Sequence, residues 1–246
     1  MFVEYTSAPL AVDTRTPRFS WEVLLEGRSR KQSAYQIRVG NHRQHQELGA
    51  ANLWDSGRVE SSQSTNILYA GTRLNSDMDC WWTVRIWDES GTPTDYRDPQ
   101  YFGTSLFDSS DWKAEWIGLC DALEPSPDPD AIAKGQIAPD VDAMTHNPRA
   151  PLMRKEFSLE KTVRRARAFV CGVGLFELRL NGSKVSTDVL ATPRTDFRKR
   201  LLYSTYDVTE QLGDGSNVLG LMLGNGWYNG QRKYWGWAMP WFGSPR

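Results

Sequence analysis

The sequence predicts an all-β chain: a fibronectin type III/immunoglobulin-like β-sandwich followed by a second, incomplete, jelly-roll-like β-sandwich. Short runs in which apolar and polar residues alternate with period two recur in both halves, each bounded by turn residues. Between the halves, residues 121–150 lose that pattern and fill with prolines and acids, as a linker or long surface loop does. The expected division is residues 1–104 for the first sandwich, 105–150 for a connector and Pro/Asp-rich linker, and 151–246 for the second.

In the first region, Arg18 to Leu24 and Ser33 to Val39 read as strands. The strongest is Cys80-Trp81-Trp82-Thr83-Val84-Arg85-Ile86-Trp87, where Cys80, Trp82, Val84 and Ile86 fall on one face and Arg85 on the other. Trp82 is therefore expected in the core. Gln100 to Thr104 follows the turn-rich Glu89-Ser90-Gly91-Thr92-Pro93, and several short strands within about 100 residues make a sandwich. No cysteine pair spans its sheets, so the fibronectin-like variety is preferred.

The second region opens near Pro151, with strands expected at Leu152–Phe157, Ala166–Cys171 and Leu175–Leu180. Asn181-Gly182 then sits between two extended runs, the signature of a type I′ hairpin. Asn217 to Leu223 is nearly all apolar and reads as a buried strand. About six strands follow Pro151 and the last aromatic stretch has no partner, so this sandwich is expected to be incomplete and the chain to be the front of a longer protein.

Composition narrows the function. Aromatic residues make up 12% and the formal charge is −1, the reverse of a disordered chain. With 29 basic against 30 acidic residues there is no field to draw in nucleic acid. No apolar run reaches the length of a membrane span, and the opening MFVEYTSAPL lacks the basic-then-apolar form of a secretory leader, so a cytoplasmic location is expected. Cys80, Cys120 and Cys171 are odd in number and widely spaced, which fits free thiols better than disulfides or a CxxC site.

Chemistry-bearing motifs are few. Gly172-Val173-Gly174 and Gly224-Asn225-Gly226 lack the third glycine and the following helix of a nucleotide loop. His42 and His45 lack a third metal ligand, and neither a Gly-x-Ser-x-Gly nor a matched Cys/His pair is present. Neither cofactor nor metal is expected. Asp108, Asp111 and Glu115 cluster around Trp112 and Trp116, and glycoside hydrolysis uses two acids beside aromatic surface. The plainer reading is a helix start at Asp108-Ser109-Ser110-Asp111, with the carboxylates solvated or capping. The richest constellation is residues 224–242, where Trp227, Tyr228, Tyr234, Trp235, Trp237, Trp241 and Phe242 present more ring surface than one loop can hide. Rings stack on the C–H faces of sugars, while Asn225, Asn229, Gln231 and Arg232 can bind hydroxyls. Asn225, Trp227, Tyr228, Arg232, Trp235 and Trp237 are therefore the candidate carbohydrate-contact or domain-interface residues, with packing against another domain preferred.

Several stretches together resemble bacterial α-L-rhamnosidases of glycoside hydrolase family 78. They are Glu4-Tyr5 through Pro9-Leu10, Asp13, Pro17-Arg18-Phe19-Ser20-Trp21, Ala34-Tyr35-Gln36-Ile37, Leu53-Trp54-Asp55-Ser56-Gly57, Trp81 to Arg85 and Trp112 to Gly118. In the second region they are Gly174 to Leu178, Leu180-Asn181-Gly182, Thr195-Asp196-Phe197 with Arg200, and Gly224 to Tyr228. The resemblance implies a multidomain enzyme that hydrolyses terminal α-L-rhamnose of rhamnosides with inversion, its acid and base on an (α/α)6 barrel that this chain does not reach. No catalytic residue is carried over, and the fragment alone is expected to be inactive. The competing readings are a stand-alone carbohydrate-binding module and a purely structural pair of sandwiches.

Overall fold

The computed structural model describes residues 1–24, 30–43, 51–118, 150–197, 199–224 and 226. The chain divides into two compact units, Met1–Lys113 and Ala114–Arg246.

Among the described residues the first unit contains two antiparallel sheets. One has the order β1-β2-β6, from β1 (Phe2–Val3), β2 (Arg18–Ser20) and β6 (Ile67–Leu68). The other is built on β3 (Ala34–Gly40) and β7 (Asp79–Trp87), flanked by β4 (Trp54–Asp55), β5 (Val59–Glu60) and β8 (Gln100–Gly103). Its order is β4-β3-β7-β8, with β5 also pairing β3. The β3–β7 register sets Tyr35 opposite Ile86, Ile37 opposite Val84 and Val39 opposite Trp82. Pleating sends all six side chains into one core, because residues two apart share a face. Phe19 of β2 meets them from the facing sheet, its ring 4.6 Å from that of Trp82 and 5.7 Å from that of Phe102. Full burial of each such side chain stabilises the fold by about 1.5–3 kcal/mol.

Cys80, Trp82, Val84 and Ile86 are all buried, as their alternation predicts. The opposite face of β7 is not left to solvent, for Thr83 and Trp87 are buried too. The strand expected over Arg18–Leu24 stops at Ser20. Beyond it, the Trp21 backbone N–H donates to the Ser64 carbonyl and the indole N–H to Gln32 Oε1 at 2.9 Å, which takes Trp21 out of the ladder.

Six strands are described in the second unit. β9 (Leu152–Leu159), β11 (Leu175–Leu180), β12 (Ser183–Lys184) and β14 (Gly215–Gly224) form a sheet of order β12-β11-β14-β9. β10 (Arg167–Val170) pairs with β13 (Ser204–Asp207). The core joins Phe176, Leu178, Leu180 and Leu223 to Tyr206 and Val208. Asn181 and Gly182 connect β11 to β12 with φ of 52° and 85°, the two positive values that a type I′ turn requires.

β14 corrects one expectation. Its apolar run is not buried throughout: Asn217 and Leu223 are buried, Leu219 and Leu221 only partly, and Met222 on the other face is exposed. An antiparallel strand with only one packed face exposes alternate residues, so a continuous apolar run does not by itself mean burial on both sides. Asn217 is held by its own amide, which donates to the carbonyls of Gly213 and Gly215 and accepts from the Gly213 N–H and the Asn181 amide.

Candidate functional site

The residues expected to touch carbohydrate or another domain, Asn225, Trp227, Tyr228, Arg232, Trp235 and Trp237, lie outside the described residues. The described chain leads up to them along β14 and reappears at Gly226, where φ is 53°. A Cβ at Gly226 would stand 3.0 Å from the Leu175 backbone nitrogen, so only glycine fits there.

The three acids around Trp112 are placed. Asp108 Oδ2 is 2.5 Å from Arg15 Nη2. Asp111 accepts from the Ser76 hydroxyl at 2.5 Å and from the Asp108 backbone N–H at 3.0 Å, closing the one-turn 3-10 helix Ser109–Asp111. That is the capping role the sequence suggested, in a shorter helix. Glu115 is exposed. The hydrogen bond from Ser76, with that from the Asp108 amide, holds the Asp111 carboxyl below its ordinary range. A glycosidic general acid needs the reverse, a carboxyl kept protonated near neutral pH by burial.

Other carboxylates are similarly engaged. Glu177 lies between Arg179 Nε at 2.8 Å and Lys184 Nζ at 3.0 Å, and hydrogen bonds from both lower its pKa. Asp188 accepts from the Tyr206 hydroxyl at 2.9 Å. Among the described residues no group of three or more His, Cys, Asp or Glu could hold a metal ion, and His45 and Cys120 lie outside them. Cys80 is a buried free thiol and Cys171 a partly buried one, whose pKa burial raises. None of the described helices is long and apolar enough to cross a membrane.

A cleft of about 270 Å³ opens at one side of the first unit, with Val84 and Ile86 in its floor and Trp21, Glu22, Tyr96 and Arg97 around it. It offers apolar surface and hydrogen-bonding groups. The acids singled out from the sequence are committed to capping and ion pairs or lie exposed.

Residues 1–108 match the family model described as the Rha78A-like, N-terminal immunoglobulin domain, and residues 161–244 match the α-L-rhamnosidase N-terminal domain. An α-L-rhamnosidase of Formosa agariphila is 37% identical over 233 residues, covering 93% of this chain and 24% of that protein. One of Alteromonas sp. (strain LOR) is 33% identical over 226 residues, covering 91% of this chain and 23% of the relative. The solved α-L-rhamnosidase of Dictyoglumus thermophilum superposes with a TM-score of 0.80 at 33% identity, over 95% of this chain and 26% of that one. A Streptomyces avermitilis α-L-rhamnosidase solved with L-rhamnose gives a TM-score of 0.82 at 23% identity, over 99% and 38% respectively, a likeness of fold. The chain spans about a quarter of the length of these curated relatives. Matched in order along it, the two domain models show that the chain carries the immunoglobulin-like and rhamnosidase-type domains that stand at the N-terminus of α-L-rhamnosidases.

Proposed function

We propose that these residues are the accessory front of an enzyme that hydrolyses terminal α-L-rhamnose from rhamnosides with inversion, the acid and base being supplied by an (α/α)6 barrel elsewhere in the polypeptide. The observation that carries this reading is 37% identity over 93% of the chain to a rhamnosidase of which those residues are 24%. The engagement of Asp108 and Asp111 by Arg15 and Ser76 supports it from the other side, because inversion needs two carboxyl groups about 6.5–9.5 Å apart with a water between them.

The same proposal takes residues 1–104, 105–150 and 151–246 as first sandwich, connector and second sandwich. It assigns Asn225, Trp227, Tyr228, Arg232, Trp235 and Trp237 to contact with the barrel or with the edge of its substrate cleft, and places the enzyme in the cytoplasm. Their clustering in 13 residues at the end of the rhamnosidase-type domain supports that assignment. The test is hydrolysis of an aryl α-L-rhamnopyranoside by the polypeptide encoded through and beyond residue 246, with the anomer of the released sugar followed by NMR. Release of the inverted anomer is expected. Absence of hydrolysis, or retention, would overturn the reading.

A further inference from the structure

Residues 93–98 run beside the second half of β7. β8 pairs only with Asp79–Trp82, and from there the edge is taken over by this segment. The Thr94 N–H donates to the Ile86 carbonyl at 2.8 Å and the Arg97 N–H to the Val84 carbonyl at 3.1 Å. The Thr83 hydroxyl donates to the Arg97 carbonyl, and Pro93 bridges to Trp87. The segment leaves a turn held by Asp88, whose Oδ1 accepts the N–H groups of Ser90 and Thr92 at 2.9 Å each, and it ends at Pro99.

Of these six residues, only Tyr96 is not exposed. Its ring lies between two guanidiniums, Arg38 at 4.5 Å and Arg85 at 4.8 Å from the centroid. Arg85 in turn faces Trp87 at 4.8 Å, and Arg58 covers Trp87 at 5.0 Å. The result is an alternating stack, Arg58, Trp87, Arg85, Tyr96, Arg38, that ties the segment to β7 and β3. Three side-chain bonds hold the cations in place: Arg38 to Asp55 at 3.0 Å, Arg58 to Glu60 at 2.8 Å, and Arg85 to Gln36 Oε1 at 2.7 Å. The Tyr96 hydroxyl oxygen is buried without a hydrogen-bond partner among the described residues, so its ring and not its hydroxyl does the holding.

We propose that residues 93–98 are a strap that opens and closes as one unit over the edge of the sheet, with Tyr96, clasped between Arg38 and Arg85, as its latch. Thr94, Asp95, Tyr96 and Arg97 also wall the 270 Å³ cleft, so strap opening widens that cleft toward Val84 and Ile86. A segment held by two backbone bonds, by the Ile86 N–H on the Thr94 hydroxyl, by the Thr83 hydroxyl on the Arg97 carbonyl and by one half-buried side chain belongs to the low-stability end of a domain, while β3 and β7 belong to the high end.

Amide hydrogen exchange of the 246-residue chain tests this. The Thr94 and Arg97 amides should exchange at a common opening constant, at least tenfold faster than the β3–β7 amides. Y96L, which removes two guanidinium–ring contacts, should raise those two rates by about a further tenfold and leave the β3–β7 amides unchanged. Y96F should match the parent, because the hydroxyl bonds nothing. Equal protection of strap and β3–β7 amides in the parent would overturn the proposal, as would loss in Y96F equal to that in Y96L. If Y96L does not fold, the parent and Y96F measurements decide.

Discussion

Trp82→Ala is the sharpest probe of the first unit. Trp82 is 0% exposed, sits in the middle of β7 and faces Phe19 at 4.6 Å. Truncating a fully buried tryptophan costs about 3–5 kcal/mol, of which the ring–ring contact accounts for about 0.5–1.5 kcal/mol. A domain of this size has roughly 5–15 kcal/mol of stability in all, so about 4 kcal/mol is a large share. At about 4–8 °C per kcal/mol for roughly 100 residues, the transition of the first unit should fall by about 20 °C in scanning calorimetry. Trp116→Ala is the control: Trp116 is 51% exposed, and its loss should shift stability by no more than about 0.5 kcal/mol. A fall of less than about 5 °C for Trp82→Ala, or equal falls for the two variants, would refute the assignment of Trp82 as the centre of the core.

Asn217→Ala should destabilise the second unit by about 2–3 kcal/mol in urea unfolding, because it strips partners from the Gly213 N–H and from two carbonyls around a fully buried position. Glu4 accepts from the Arg18 side chain and backbone, which lowers its carboxyl pKa below the ordinary 4.5, so the pair stabilises the first unit fully above 4.5 and loses its effect as pH falls through the lowered value. Glu4→Gln should accordingly be less stable than the parent at neutral pH, the two denaturation midpoints converging in acid. In the whole enzyme, Asp108→Asn, Asp111→Asn and Glu115→Gln should each keep kcat/KM within about threefold of the parent, whereas loss of a catalytic carboxylate costs several orders of magnitude.

What was legible in the sequence is what local pattern encodes. β7 declared itself because Cys80, Trp82, Val84 and Ile86 alternate with Arg85, and the hairpin at Asn181-Gly182 because few other pairs accept two positive φ values. Asp108-Ser109-Ser110-Asp111 announced its cap in the same way. Elements whose partners are distant in sequence were not legible. The alternating stack takes Arg38, Arg58, Arg85, Trp87 and Tyr96 from two strands and two loops, and no window of residues contains it. The early end of β2 depends on Gln32 and Ser64, and the open face of β14 depends on what lies above it. The aromatic stretch from Trp227 stands out by composition alone, which points to a partner without naming one.

In the proposed enzyme these two β units are scaffold and contact surface, with the chemistry carried elsewhere. The most direct test is the turnover of an aryl α-L-rhamnoside by the purified 246-residue chain beside an equimolar amount of the whole enzyme. The whole enzyme should release rhamnose while the chain stays at the buffer rate; turnover by the chain above that rate, abolished by a single carboxylate substitution within it, would contradict that division of labour.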